Sequence, residues 1–128
     1  MQLCPVDDRC FEVSSTVQLD GPEGALVMWV LFNTRRSKPT DECLAHWRDV
    51  HAPLARQHHG MCRYVQHVVV EPEDGGIEAI AELHFATEAE HADRFYLHDD
   101  SRQVIAEDVA HFAGRISETH FEHREPVT

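Results

Sequence analysis

A histidine that lies two residues before a proline, His51, is the side chain in this sequence that is best placed for chemistry. It belongs to the run CLAHWRDVHAPL at residues 43–54 and lies one helical turn after Trp47, on the side predicted to face the core. An imidazole titrates close to neutral pH, so His51 is predicted to act as a general acid or base. The alternative is a structural histidine that binds a carbonyl group freed by Pro53.

Three more titratable side chains are candidates for the same catalytic site: Tyr64, Glu82 and Asp108. The Tyr64 hydroxyl would donate a hydrogen bond to a substrate carbonyl or enolate oxygen. Glu82 lies in a predicted buried strand, where burial would raise the pKa of its carboxyl group. Asp108 lies on the inner side of a predicted helix and would orient a histidine. The structural alternatives are an aromatic core residue, an interface acid paired with Arg or His, and a capping or surface acid, respectively.

Around these groups, five side chains are predicted to bind the substrate: Trp47, Trp29, Asn33, Gln66 and His84. The two tryptophans would form an aromatic wall, and the other three would offer polar contacts. Gln66 shares a strand face with Tyr64, and His84 shares one with Glu82. Whether these two faces coincide depends on the register of the hairpin, which stays open because a slip of one residue exchanges the faces.

The elements that position these side chains follow from the periodicity of the apolar residues. A continuous apolar run at 25–35 predicts a strand buried on both faces, and Thr40 precedes a helix that Pro53 should bend or divide. The turn signal PEDGG separates the next two strands. The pattern predicts strands at 25–35, 61–71, 77–86 and 115–123, with helices at 41–58, 88–98 and about 101–112.

This order of elements predicts an α+β fold with a ferredoxin-like βαββαβ sheet and its helices on one face. The domain is predicted to span residues 25–125, and residues 1–24 form an N-terminal extension, either an extra edge strand or a loose arm. Both faces of the sheet carry apolar residues, and no element is left to cover the second face. We therefore expect a homodimer whose sheets pack face to face.

The charge of the chain argues against one class of partner. Eleven Lys and Arg residues against 23 Asp and Glu residues give a formal net charge of −12 with His neutral. Because no basic residues cluster, a nucleic-acid partner is not expected. No apolar run approaches the roughly 20 residues of a membrane helix, and the amino terminus lacks the order of a signal peptide. We therefore expect a cytoplasmic protein without membrane contact.

The four cysteines lie at positions 4, 10, 43 and 62 without a C-x-x-C pair, which favours reduced thiols. A Cys4–Cys10 disulfide is the alternative. Eleven histidines raise the question of a metal site, but His46 and His51 would lie about 140° apart on an α-helix and should not share an ion. The sequence contains no H-E-x-x-H, G-x-S-x-G or phosphate-binding Gly-rich motif, so neither a metal nor a cofactor is expected.

The run HWRDVHAP at 46–53, followed by Arg63-Tyr64 and by AELHF at 81–85, resembles the EthD-domain proteins of the dimeric α+β barrel superfamily. The resemblance covers about residues 25–125 and implies a ferredoxin-like sheet that dimerises into an α+β barrel. That superfamily includes cofactor-free monooxygenases, lactone isomerases, and polyketide cyclases, dehydratases and decarboxylases. In its methylmuconolactone isomerase, a histidine and a tyrosine that match His51 and Tyr64 line the pocket.

The residues and the resemblance together lead to one leading hypothesis: a cofactor-independent acid/base enzyme of the cyclase, dehydratase, decarboxylase or isomerase type. Its substrate would be a small hydrophobic carbonyl compound, such as a polyketide-derived aromatic or a lactone. His51 would move a proton, Tyr64 would stabilise the oxyanion, and Glu82 or Asp108 would set the state of a histidine. The alternatives are a cofactor-free monooxygenase of quinol-like substrates and a non-catalytic dimer that binds a hydrophobic ligand.

Overall fold

The computed structural model describes residues 1–6 and 8–124, so the predicted domain end at residue 125 lies outside the described residues. The predicted order of strands and helices from residue 25 onwards is confirmed, and two strands precede it. The strands are β1 (Gln2–Val6), β2 (Arg9–Leu19), β3 (Leu26–Thr34), β4 (Arg63–Val69), β5 (Ala79–Phe85) and β6 (Ala113–His123). The helical segments are α1 (Thr40–His46), a π-helical turn (Trp47–His51), α2 (Ala52–His58), α3 (Glu88–Arg94) and α4 (Ser101–Val109).

The strands form one curled antiparallel sheet in the order β1-β2-β4-β5-β3-β6, and the fold is α+β. The curl brings the start of β2 close to β6, where the Arg9 guanidinium donates to both Glu118 carboxylate oxygens at 2.7 and 3.1 Å. The helices pack against one face of the sheet. Among the helices of the described residues, none has the length and apolar composition that crossing a membrane requires.

Strand β3 is buried on both faces, as predicted from its continuous apolar sequence. Leu26 and Phe32 contribute to the core beneath the helices. Val27, Trp29 and Leu31 alternate with them and contribute to a second core on the opposite face, which we call the distal face. Strand β3 pairs with β5 on one side and with the edge strand β6 on the other, so both of its edges are hydrogen-bonded within the sheet.

The distal face is covered in part by the chain's own amino-terminal residues. Leu3, Val6 and Phe11, from the hairpin of β1 and β2, pack against the second core. The expectation that no element is left to cover this face is therefore wrong. The error has a physical cause: of the two alternatives, an extra edge strand or a loose arm, the hairpin is the edge addition, but the curl of the sheet also folds its apolar side chains over the distal face.

A disulfide joins Cys4 to Cys10 across this hairpin, and Cys43 and Cys62 are free. The favoured prediction of four reduced thiols is therefore wrong for the first two, and the alternative, a Cys4–Cys10 disulfide, is confirmed. The pairing of Leu3 with Phe11 places Cys4 and Cys10 opposite each other, with their Cα atoms 4.1 Å apart. The spacing of six residues does not reveal this register, because the hairpin turn that sets it carries no specific sequence signal.

Candidate active site

The helix that carries His51 contains a π turn. The Ala52 N–H donates to the carbonyl of Trp47, five residues back. Pro53 follows and has no N–H to offer the Arg48 carbonyl, which instead accepts a hydrogen bond from the Gln18 side chain at 3.4 Å. π turns of this kind are frequent at functional sites. The predicted interruption near Pro53 thus takes the form of a wider helical turn rather than a break.

The π turn brings His46 and His51 to the same carboxylate. His46 Nε2 lies 2.8 Å from one oxygen of Asp108 in α4, and His51 Nδ1 lies 2.8 Å from the other. The expectation that these histidines point about 140° apart is wrong, because it assumed α-helical geometry. Residues five apart become neighbours when the hydrogen bonds span five residues. Asp108 thus fixes the orientation of both rings.

The hydrogen bonds define the protonation of this cluster. Burial lowers the pKa of His51, although the hydrogen bond to Asp108 opposes the effect, so the ring is neutral at pH 7. Burial would raise the pKa of Asp108, but hydrogen bonds from His46 and His51 outweigh it and lower that pKa. The Asp108 carboxylate can only accept, so Nδ1 of His51 carries the proton. Nε2 of His51 is then an unprotonated base.

An apolar pocket of about 150 Å³ lies between the helices and the sheet, with His51 in its wall. Most of the lining is hydrophobic, including Phe32, Trp47, Leu83 and Phe112. The edge of the Phe112 ring packs against the His51 ring, with centroids 4.9 Å apart. The pocket is smaller than those of typical drug-sized ligands, and a cavity of this volume holds about one benzene ring.

Tyr64 lines the same pocket from β4 and is almost completely buried. Gln66 donates a hydrogen bond to the Tyr64 hydroxyl oxygen at 3.0 Å and another to the Trp47 carbonyl at 3.0 Å. Burial raises the pKa of Tyr64 to about 12, although hydrogen bonds from Gln66 and Trp47 oppose the rise. The phenol therefore keeps its proton at neutral pH and can donate it to a ligand oxygen.

A second histidine in the pocket wall, His59, was not among the predicted site residues. It follows α2 directly, is buried, and its Nδ1 is hydrogen-bonded to the carbonyl oxygen of Phe95. Burial lowers its pKa, the Phe95 carbonyl opposes the effect, and a charge on His51 would lower it further. The preceding His58 is equally buried but binds Ser101 Oγ at 2.8 Å outside the pocket. No sequence signal distinguishes the two histidines, because both lie at the helix end.

Glu82 and His84 lie on the distal face and do not reach this pocket. The register pairs Tyr64 with Leu83 and Val65 with Glu82, so Tyr64 and Glu82 point to opposite sides. The Glu82 carboxylate accepts hydrogen bonds from His67 at 2.8 Å and from His84 at 2.5 Å. Burial would raise its pKa, but these two hydrogen bonds lower it to about 2. The pKa of Glu82 is thus lowered rather than raised as expected, and of the two acids expected to set the state of a histidine, Asp108 and not Glu82 contacts His51.

The remaining predicted substrate-binding residues are divided between the two faces. Trp47 lines the pocket, and Gln66 lies behind Tyr64. Trp29 lies on the distal face, where its indole N–H donates to Glu122 at 3.1 Å. Asn33 accepts a hydrogen bond from the backbone of β6 at 2.9 Å and does not line the pocket. An Asn at a strand end thus has a structural role here.

The hydrogen-bonded pair His51–Asp108 and most of the pocket lining lie within the part of the chain that a known family matches, whereas the lining residues of β3 and Ser117 lie outside it. The sequence model of the family described as EthD domain matches residues 36–116, more than half of the chain. This segment includes His46, His51, Tyr64 and Asp108. No curated protein matches the chain. Within residues 1–6 and 8–124, no three His, Cys, Asp or Glu side chains are arranged to hold a metal ion.

Proposed function

Because the chain belongs to the EthD-domain family, we propose that its pocket catalyses proton transfer on a small hydrophobic carbonyl compound without a cofactor. One observation carries the proposal: His51, whose Nδ1 is hydrogen-bonded to the Asp108 carboxylate, lines the same apolar pocket as the buried phenol of Tyr64. His51 would be the general base, Tyr64 the hydrogen-bond donor to the carbonyl oxygen, and Asp108 the residue that positions His51.

In this mechanism, Nε2 of His51 removes a proton from the carbon next to the carbonyl group. The electron pair of the broken C–H bond forms the enolate, and the Tyr64 hydroxyl donates a hydrogen bond to its oxygen. The Asp108 carboxylate stabilises the imidazolium, which returns the proton to a different carbon of the substrate. The overall reaction is an isomerisation, and protonation of a leaving hydroxyl instead would give a dehydration. The apolar lining strengthens each electrostatic contact.

The pocket volume supports a substrate with one ring. A lactone or a cyclic enone matches about 150 Å³, whereas the cyclisation of a long polyketide chain requires more space. Among the reaction types expected from the sequence, isomerisation of a one-ring carbonyl compound is therefore our proposal.

Conversion of cyclohex-3-enone to its conjugated isomer, cyclohex-2-enone, tests the proposal by ultraviolet absorbance. We expect His51→Ala to slow the reaction by ~10²-fold, because a positioned general base contributes at least this much. His58→Ala is the matched control, since His58 is equally buried but lies outside the pocket. An unchanged rate in His51→Ala would remove His51 from the mechanism. Oxygen consumption with a quinol would favour the monooxygenase alternative, and ring binding without turnover the non-catalytic one.

We further propose that residues 25–125 form a ferredoxin-like domain of a homodimer. The neighbours β4-β5-β3-β6 support the ferredoxin-like arrangement, to which β1 and β2 are added. A sheet-to-sheet interface would have to use the part of the distal face that the hairpin leaves free. Val17 pairs with Val65 on the same face as Glu82, and its exposed apolar side chain is distal-face surface that a partner would cover. Sedimentation equilibrium distinguishes the dimer from a monomer.

A further inference from the structure

We propose that His59 is a second hydrogen-bond acceptor in the pocket, so that among one-ring compounds the pocket binds those with two hydroxyl or enol groups more tightly than those with one. The inference rests on the proposed acid/base pocket and specifies the ligand that this pocket selects. It is carried by the hydrogen bonds that hold the two imidazoles in the pocket wall.

Each imidazole is held through Nδ1 by a group that can only accept. The partner of His51 is the Asp108 carboxylate, and the partner of His59 is the Phe95 carbonyl oxygen. Nδ1 must therefore carry the proton in both rings. In a neutral imidazole the other nitrogen is then an acceptor. The pocket wall thus offers two acceptors of the same kind, Nε2 of His51 and Nε2 of His59.

Both Nε2 atoms are open to a ligand. Among the described residues, neither atom has a hydrogen-bond partner, yet no fully buried side-chain nitrogen or oxygen is left unpaired there. Each Nε2 must therefore be accessible, and both side chains line the same pocket. The other lining residues that carry a polar side-chain group are Trp47, Tyr64 and Ser117, with one indole N–H and two hydroxyls. The two imidazole acceptors therefore favour a ligand that donates two hydrogen bonds.

Electrostatics favour a neutral ligand over a proton or a cation. A positive charge on His51 disfavours one on His59, and burial disfavours both charged forms. A neutral molecule that donates two hydrogen bonds satisfies both acceptors without placing charge in an apolar cavity. Hydroxyl groups on a ring combine this donor pair with the apolar faces that Trp47 and Phe112 can cover.

The test measures by NMR the binding of benzene, phenol, catechol, resorcinol and hydroquinone to the ¹⁵N-labelled protein. The samples contain no added reductant and no oxygen. We expect at least one dihydroxybenzene to bind about 2- to 10-fold tighter than phenol, the gain of one net hydrogen bond. In His59→Leu this gain should disappear while benzene binding persists, which shows that the pocket is intact. His58→Leu is the matched control and should keep the gain.

A second measurement does not depend on the folding of a variant. Long-range ¹H–¹⁵N spectra of the unmodified protein should show Nε2 of His59 unprotonated without ligand and shifted when a dihydroxybenzene binds. Equal affinities for phenol and every dihydroxybenzene, or a protonated Nε2 in the free protein, would overturn the inference. If the gain survives in His59→Leu but is lost in His51→Leu, the inference fails while the proposed function stands. If the gain survives in His59→Leu and His51→Leu leaves the affinity for every ring compound unchanged, both the inference and the proposed function fail.

Discussion

Replacement of Glu82 by glutamine tests the half-buried carboxylate on the distal face. The Gly24 N–H donates to Nδ1 of His84 at 3.1 Å, so His84 must donate to Glu82 from Nε2. His67 has more freedom, because its Nδ1 faces the Ser15 hydroxyl at 2.6 Å, which both donates and accepts. A glutamine can therefore keep both hydrogen bonds once His67 changes its tautomer. What the substitution removes is the negative charge.

The pKa of Glu82 fixes the size of the effect. Lowering this pKa from 4.5 to about 2 stabilises the folded protein at neutral pH. The corresponding free energy is about 3 kcal/mol, at about 1.4 kcal/mol for each pH unit. Because the pKa is depressed in the folded state, this stabilisation is complete above about pH 5 and is lost as the pH falls toward 2. By pH 3, about 2 kcal/mol of it should be gone.

Urea unfolding of the unmodified protein and of Glu82→Gln at pH 7 and pH 3 measures this loss. We expect the variant to be less stable by about 2–3 kcal/mol at pH 7 and the difference to shrink by about 2 kcal/mol at pH 3. Glu107→Gln, at an exposed position of α4, is the control and should show no such change. A difference between the protein and Glu82→Gln that is the same at both pH values would refute the reasoning.

Two further predictions concern the hydrogen-bonded pair His51–Asp108 and the disulfide of the amino-terminal hairpin. Asp108→Asn should slow the isomerisation of cyclohex-3-enone by ~10²-fold or more, because an amide can donate to Nδ1 of His51 and leave the wrong nitrogen protonated. An unchanged pH–rate profile and rate would contradict the positioning role. The double substitution Cys4→Ser and Cys10→Ser should lower the unfolding free energy by about 2 kcal/mol, as expected for a short closed loop. Calorimetry measures it, and equal melting temperatures with and without the disulfide would contradict it.

The placement of His51, Tyr64 and Asp108 could be anticipated from apolar periodicity. His51 lies one turn after Trp47, so a buried Trp47 carries the histidine to the inner side of the helix. Tyr64 lies near the start of a strand whose alternate residues face the helices, and Asp108 lies on the inner side of α4 by its helical spacing. These patterns concern one element at a time, which is why they predict a face more reliably than a contact.

The contacts that were missed depend on how two elements align. Glu82 lies on the distal face because the β4–β5 hairpin pairs Val65 with it, and a register shifted by one residue would have placed it beside Tyr64. His46 reaches Asp108 only because the turn at Trp47–His51 is a π turn. Neither a hairpin register nor a single wide turn leaves a periodic trace in the sequence.

In the proposed function, the two faces of the sheet would separate catalysis from assembly. Every side chain in the proposed mechanism belongs to one chain and lies on the helical side, between His51 in the π turn and Asp108 in α4. The amino-terminal hairpin and the Glu82 cluster lie on the distal face, where a partner would approach. The acid/base pocket is therefore complete within a single chain. A monomeric protein would overturn the dimer and leave the mechanism of His51 and Tyr64 unaffected.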